Sequence, residues 1–305
     1  MFRGVATVLI AAKVVAGSLT LPAFPGAPTF QDDLRCFLQK PVLSCNNATV
    51  IKDTCCSPTP GGLVLATQFW DTYTGLESQG QLLPDASTWT IHGLWPDFCD
   101  GSFTGYCDVT RQYDPTPDAS SVAAYTGPGI DTFISAFGRK DLLAYMEKYW
   151  ISQGSPNANF WAHEFSKHAT CFSTYDTACY TPYFKHAEVV DFFDSAIRAY
   201  KMFPTGQFLA SQGIVPSNTT TYTLTQLNNA IKAHTGAIPY FGCSGANAPE
   251  GDGRTILTEV WYYNYVLGTT QTGTYKHIDT TFGSSCTKTG QISYLERTPS
   301  SIRKN

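Results

Sequence analysis

Ten cysteines constrain this chain more than any other feature: Cys36, Cys45, Cys55, Cys56, Cys99, Cys107, Cys171, Cys179, Cys243 and Cys286. They are even in number and none stands in a C-x-x-C pair, which argues against a zinc ribbon or a thioredoxin-like site. The pattern predicts a framework of disulfides made in an oxidising compartment. Neighbouring Cys55 and Cys56 are expected to bond to different partners, because a ring between adjacent residues is strained. Spacing alone leaves the pairing open. The cysteines run from 36 to 286 without a long linker, so the 305 residues are read as one disulfide-rich domain. Hydrophobic residues make up 43% and charged residues 14%, well under the ~25% charge usual in soluble domains. That composition, with 19 Phe, 17 Tyr and 6 Trp, excludes a disordered chain. A net charge of −4 excludes a basic nucleic-acid binder of the histone or repressor kind.

The first residues fit the same compartment. Arg3 precedes an apolar run from Val5 to Ala16, interrupted by Lys13 and shorter than the ~20 residues a spanning helix needs. Val15-Ala16-Gly17 supplies small residues for cleavage. Residues 1–17 are therefore expected to be a signal peptide, making the protein secreted or vacuolar/lysosomal. Residues 18–35 read as an irregular lead-in or propeptide, 36–286 as the catalytic domain and 287–305 as a tail. Asn47-Ala48-Thr49 and Asn218-Thr219-Thr220 are glycan acceptor triplets.

Gly62–Trp70, Ser87–Leu94 and Thr255–Val266 are rich in β-branched and aromatic residues and predict strands. Residues 96–130 predict a long loop pinned by Cys99 and Cys107. Helical periodicity covers 141–150, 159–172 and 182–203, and Thr223-x-x-Gln226 predicts a capping box for a helix ending at Gly236. Strands and helices without βαβ alternation give an α+β class.

Two segments carry chemistry. In NFWAHEFSKHATCF (159–172), at ~100° per residue, His163, Glu164, Lys167 and His168 share one helical face. Trp161, Phe165 and Phe172 gather near ~180° from His163 and face the core. Two imidazoles, a carboxylate and an ammonium within six residues make an acid–base and anion-handling cluster. A solvated face with an i,i+4 ion pair would use the same residues. So would a zinc site, but its histidines stand at i and i+4, and here Lys167 occupies that place. No metal and no cofactor is expected. In TIHGLWPDFCDG (90–101), His92 lies at a strand end beside Trp95. Neither segment holds a Ser or Cys nucleophile, so the enzyme implied is one whose substrate brings its own.

IHGLWPD (91–97) and FWAHEFSKHATC (160–171) resemble the two active-site motifs of the ribonuclease T2 family, the acid, base-nonspecific endoribonucleases, and above all its secreted fungal members with ten cysteines. The resemblance spans 36–286. It implies a central antiparallel β-sheet flanked by helices, and the pairs Cys36–Cys56, Cys45–Cys99, Cys55–Cys179, Cys107–Cys171 and Cys243–Cys286. It also implies a monomer that cleaves single-stranded RNA, not DNA, without a membrane. His168 would be the base and His92 the acid, with Glu164 and Lys167 on the transition state and His163 holding phosphate. Cleavage would give a 2′,3′-cyclic phosphate and then a 3′-phosphate. Trp95 and Asp97 match the first base site, and Phe103 stands where relatives often carry Tyr. Gln68 and Phe160 match the second base site, although Ile151–Gly154 departs from the fungal Pro-Ser-Asn-Gln pattern.

Overall fold

The segment LVLATQF is apolar almost throughout, and a strand of that kind needs cover on both faces. It forms β1 (Leu63–Phe69), buried at every position but the last. In this computed structural model, residues 34–46, 50–247 and 253–304 are described. The expected signal peptide, nearly all of the lead-in and the Asn47 acceptor lie outside the described residues.

Antiparallel partners flank β1: β2 (Thr90–Asp97) on one side and β5 (Arg254–Leu267) on the other. At 14 residues, β5 also pairs antiparallel with β4 (Tyr240–Asn247) and β6 (Thr274–Ile278). Two short strands, β3 (Thr221–Tyr222) and β7 (Ile292–Ser293), complete a seven-stranded sheet. The expected antiparallel sheet thus gains one parallel contact, between Ile256 of β5 and Ser293. The helices are α1 (Leu34–Phe37), α2 (Ile130–Ala136), α3 (Lys140–Tyr149), α4 (Asn157–Lys167), α5 (Ala187–Met202), α6 (Thr205–Ser211) and α7 (Leu224–Thr235).

The two faces of the sheet differ. Val64, Ala66, Leu94, Val260 and Tyr262 pack with Trp161, Phe165, Phe192 and Phe193 in the main core. Burying each such large side chain contributes roughly 1.5–3 kcal/mol. Leu63, Leu65 and Tyr263 lie in a smaller cluster with half-buried Trp95, Tyr240 and Trp261. That aromatic face is only partly covered, and it carries the site.

Several elements depart from the periodicity. The helix expected over 159–172 ends at Lys167, and a 3₁₀ turn follows over Ala169–Cys171. There the Thr170 hydroxyl donates to the Ser166 carbonyl, and Cys171 is tied to Cys107. The helix expected from Pro182 starts at Ala187, because His186 sits at φ 72°, which cannot continue a right-handed helix. The capping box forms as read: the Thr223 side chain accepts from the Gln226 amide, and the Gln226 side chain accepts from Thr223. The loop after β2 is pinned by Cys45–Cys99 and Cys107–Cys171, and Cys36–Cys56, Cys55–Cys179 and Cys243–Cys286 complete five disulfides.

The tail expected beyond the domain is part of it. Tyr294 is buried against Trp70 and Trp89 and accepts the Trp89 indole proton at 2.9 Å. The Arg297 guanidinium, also buried, lies 4.3 Å over the Trp70 ring and donates to the Asp71 carbonyl.

Candidate active site

His92 owes its place to a β-bulge. Thr67 pairs with Gly93 and Gln68 pairs with Ile91, so His92 is the extra residue between two rungs. Bulges of this kind re-aim a side chain. Its imidazole stacks on Phe69 with ring centres 3.6 Å apart and meets the edge of Trp95 at 4.6 Å. Gly93, next in sequence, supplies space: a Cβ there would lie 1.9 Å from Glu164 Oε2 and 2.7 Å from Trp95 Nε1. Helix α4 can therefore press its carboxylate against the strand.

Glu164 is 1% exposed. Trp95 Nε1 donates to its Oε2 at 2.8 Å. Its two oxygens face two imidazoles, Oε1 at 3.6 Å from His92 Nε2 and Oε2 at 4.0 Å from His168 Nε2. Burial pushes this carboxyl above its usual range, against the charges of His92 and His163 and the Trp95 hydrogen bond. His168 stacks on the Trp95 ring at 4.9 Å. Burial, then the charges of Lys167, His163 and His92, hold it well below the usual imidazole range, so its neutral form persists to lower pH than a free imidazole's.

His163 is tuned the other way. Burial pulls it down, but a hydrogen bond to Asp114 and the charges of Glu164 and Asp114 outweigh that and raise it. Its Nδ1 donates to Asp114 Oδ2 at 2.8 Å, and the Tyr106 hydroxyl donates to the same oxygen at 2.8 Å. Burial pushes Asp114 up, yet the bonds from His163, the Thr116 amide and Tyr106 leave it below the carboxylate range. Lys167 Nζ reaches Asp118 at 2.5 Å. Two neighbouring imidazoles thus prefer opposite protonation states, one charged to meet an anion and one neutral to take a proton.

Eight of the expected residues meet at one cavity of about 470 Å³: His92, Trp95, Asp97, Phe103, His163, Glu164, Lys167 and His168. Tyr240, Trp261 and Phe282 also line it. Phe103 and Phe282 are exposed, 69% and 47%, at this cavity. Asp97 is buried, which pushes its carboxyl up to about 7. Phe160 stands behind, its ring 5.8 Å from His92.

Gln68 is not brought to this cavity. It is 1% exposed, donates to the Phe203 carbonyl at 2.8 Å and accepts from the Thr205 hydroxyl at 2.7 Å. The β1 residue beside His92 and Phe160 is Phe69, at 3.6 and 6.2 Å between ring centres. Successive strand residues point to opposite faces, so one position decides which side chain arrives. Trp95 also does more than line a wall, since its ring and indole proton fix His168 and Glu164. Sequence reasoning missed Asp114, Asp118, Tyr106 and Phe69. The run Asp114-Pro-Thr-Pro-Asp118 carried a turn signal, and the Thr116 amide does donate to Asp114 Oδ1 at 2.8 Å.

One donor atom each from His163, Glu164 and His168 lies within 4.8 Å of the others. Trp95 already occupies a Glu164 oxygen and Asp114 already holds His163 Nδ1. With Lys167 on the same helix, the cluster is arranged for protons and anions. No helix among the described residues is long and apolar enough to cross a membrane.

A sequence model of the Ribonuclease T2 family matches residues 61–289. The chain is similar to a ribonuclease T2-like protein of Aspergillus fumigatus, 38% identical over 266 residues, covering 86% of this chain and 57% of that one. It is similar to ribonuclease T2 of Aspergillus oryzae, 36% identical over 255 residues, covering 83% and 81%. The chain thus spans little more than half of the first relative and four fifths of the second. Among solved structures it is similar to Actibind, described as a T2 ribonuclease, with TM-score 0.69, 35% identity, and coverage of 84% of this chain and 96% of that one. On the strength of the two motifs, the cavity they build and this similarity across most of its length, the chain belongs to the Ribonuclease T2 family.

Proposed function

We propose that the chain is an endoribonuclease that cleaves single-stranded RNA by transphosphorylation. The observation that carries this reading is one buried carboxylate facing His92 with one oxygen and His168 with the other. RNA supplies the 2′-hydroxyl as nucleophile, a group DNA lacks. Neutral His168 takes the 2′-hydroxyl proton, the oxygen attacks phosphorus, and His92 gives a proton to the departing 5′-oxygen. Water then opens the 2′,3′-cyclic phosphate with the two roles reversed, leaving a 3′-phosphate. His163, charged through Asp114, holds the phosphate. Glu164, its carboxyl raised by burial, and Lys167 would polarise the phosphate and stabilise the transition state, Glu164 as a donor in its protonated form. Each proton transfer contributes typically ~10²–10⁴-fold.

The base beside the phosphate would lie against Phe103, Phe282 and Trp95, where stacking tolerates any base. In acid Asp97 is neutral and offers both a donor and an acceptor to a purine edge. Beyond the phosphate, Phe69 and Phe160 offer rings and no hydrogen bond. Exposed Asn218, whose amide donates to Glu296 at 3.1 Å, is the described glycan acceptor. The protein is read as secreted.

The test is cleavage of polyadenylate, polyuridylate and single-stranded DNA, each with and without chelator. RNA should be cut equally in both conditions and DNA left whole. Loss of RNA cleavage in chelator, or cutting of DNA, would refute the reading.

A further inference from the structure

His92 has a second carboxylate behind it. While Nε2 faces Glu164, Nδ1 is buried without a hydrogen-bond partner and lies 3.7 Å from Glu259 Oε2. Glu259 comes from β5, directly across the sheet from Phe69 of β1. Phe69 stacks on the His92 ring, so three adjacent strands bring the acid, its stacking partner and this carboxylate together. The carboxylate is itself held, because Trp261 Nε1 donates to the same Oε2 at 2.8 Å. The position opposite on β4 is Gly242, where a Cβ would lie 2.3 Å from Glu259 Cγ. The side chain thus has an anchor on one side and cleared space on the other.

We propose that Glu259 is a positioning residue for His92: it holds Nδ1 from the sheet side, fixes which ring nitrogen carries the transferable proton, and turns Nε2 towards the scissile phosphate. This rests on the proposed cleavage reaction. In the free protein the contact at 3.7 Å is longer than a hydrogen bond, and such contacts tighten when substrate is bound. With Nδ1–H directed at Glu259, Nε2 gives its proton to the leaving oxygen and receives one from water in the second step. No atom of Glu259 touches substrate in this arrangement.

The other charges around His92 come from three elements. Glu164 and His168 face it from α4 and the turn that follows, and the charges of Lys167 and His163 act on that pair. Asp71, just beyond β1, feels the charges of Arg297, His92 and Glu259. Burial pushes Asp71 up to about 6, so it is neutral in acid.

The experiment compares the parent protein with Glu259→Gln, Glu259→Asp and Gly242→Ala, and uses Glu147→Gln on an exposed helix position as a control for net charge. Two readouts are followed: kcat/KM against pH, and NMR titration of the His92 ring, assigned by the signal that His92→Phe removes. A charge 3.7 Å away and partly screened moves a titration by about one pH unit. In Glu259→Gln the His92 midpoint and the basic limb of kcat/KM should fall by about one unit, and kcat should drop ~10-fold with KM little changed. Gly242→Ala, which displaces the carboxylate, should move both in the same direction. Glu259→Asp should fall between, and Glu147→Gln should match the parent. An unmoved His92 midpoint in Glu259→Gln, or an equal shift in Glu147→Gln, overturns the proposal. The NMR arm needs no RNA, so it separates failure of this idea from failure of the cleavage reading.

Discussion

Replacing Asp114 by Asn tests how the site sets its own charge. Asp114 is fully buried and accepts from His163 Nδ1, Tyr106 and the Thr116 amide. The amide keeps the shape and an acceptor oxygen but loses the charge. At 2.8 Å the gross attraction is about 6 kcal/mol for an effective dielectric of about 20. Desolvation of the carboxylate takes back most of it, and hydrogen bonds to charged groups retain a net ~1.5–3 kcal/mol. We therefore expect a loss of about 2 kcal/mol where both partners are ionised. His163 is raised, so its share is present below the unfolded value of ~6.5 and fades as pH climbs through the folded value. Asp114 is lowered, so its share is present above ~3.9 and fades as pH falls through the folded value. The pair is fully effective between about pH 4 and 6.5. Urea unfolding with the disulfides intact, at pH 5 and at pH 9, measures it. Asp114→Asn should cost about 2 kcal/mol at pH 5 and distinctly less at pH 9. An equal cost at both, or a larger one at pH 9, would refute the charge-pair reasoning.

Gly93→Ala should cut kcat/KM at least ~10-fold, because the new Cβ displaces the Glu164 carboxylate from the Trp95 indole; parent-level activity would show that this bond is dispensable. His92→Phe and His168→Phe should each lose ~10²-fold or more in rate while circular dichroism stays that of the parent, and either variant keeping a tenth of parent activity would contradict its role. The parent kcat/KM should be bell-shaped with its maximum below neutrality. His168, lowered by burial and by the cations around it, keeps its basic form into acid, while raised His163 keeps its charge. A maximum at or above pH 7 would show the roles to be wrong.

The helical cluster was legible because a 3.6-residue period is unbroken from His163 to Lys167, and the residues placed on the core side, Trp161, Phe165 and Phe172, are all buried. The loop acids were not legible. Asp114 reaches His163 only after the chain has turned through residues 98–113 under two disulfides, and no local period encodes that path. Gln68 and Phe69 illustrate a different limit. Facing in a strand is a matter of parity: Gln68 falls on the side of Val64 and Ala66 and Phe69 on the side of Leu63 and Leu65, while the bulge places its extra residue, His92, on β2. The departures at 182–186 and 169–171 come from single residues whose backbone or cross-link outweighs helix propensity. The role of Tyr294 and Arg297 was hidden because a short polar tail gives no pattern until its partners Trp70 and Trp89 are in place.

The placement of β5 in mid-sheet sets a timetable for synthesis. Val64 of β1 and its neighbour Asn264 of β5 are 200 residues apart. At ~5–20 residues per second, a ribosome needs roughly 10–40 s to deliver the second after the first. For that interval β1 has its hairpin mate β2 and one bare, apolar edge, which is the kind of edge that recruits foreign strands. Cys55 waits for Cys179 across 124 residues, while Cys36 and Cys56 can close at once. The emerging chain is thus long and exposes an apolar edge before it is a domain. Shielding of that edge during synthesis is therefore expected to matter to its yield as much as the stability of the finished fold.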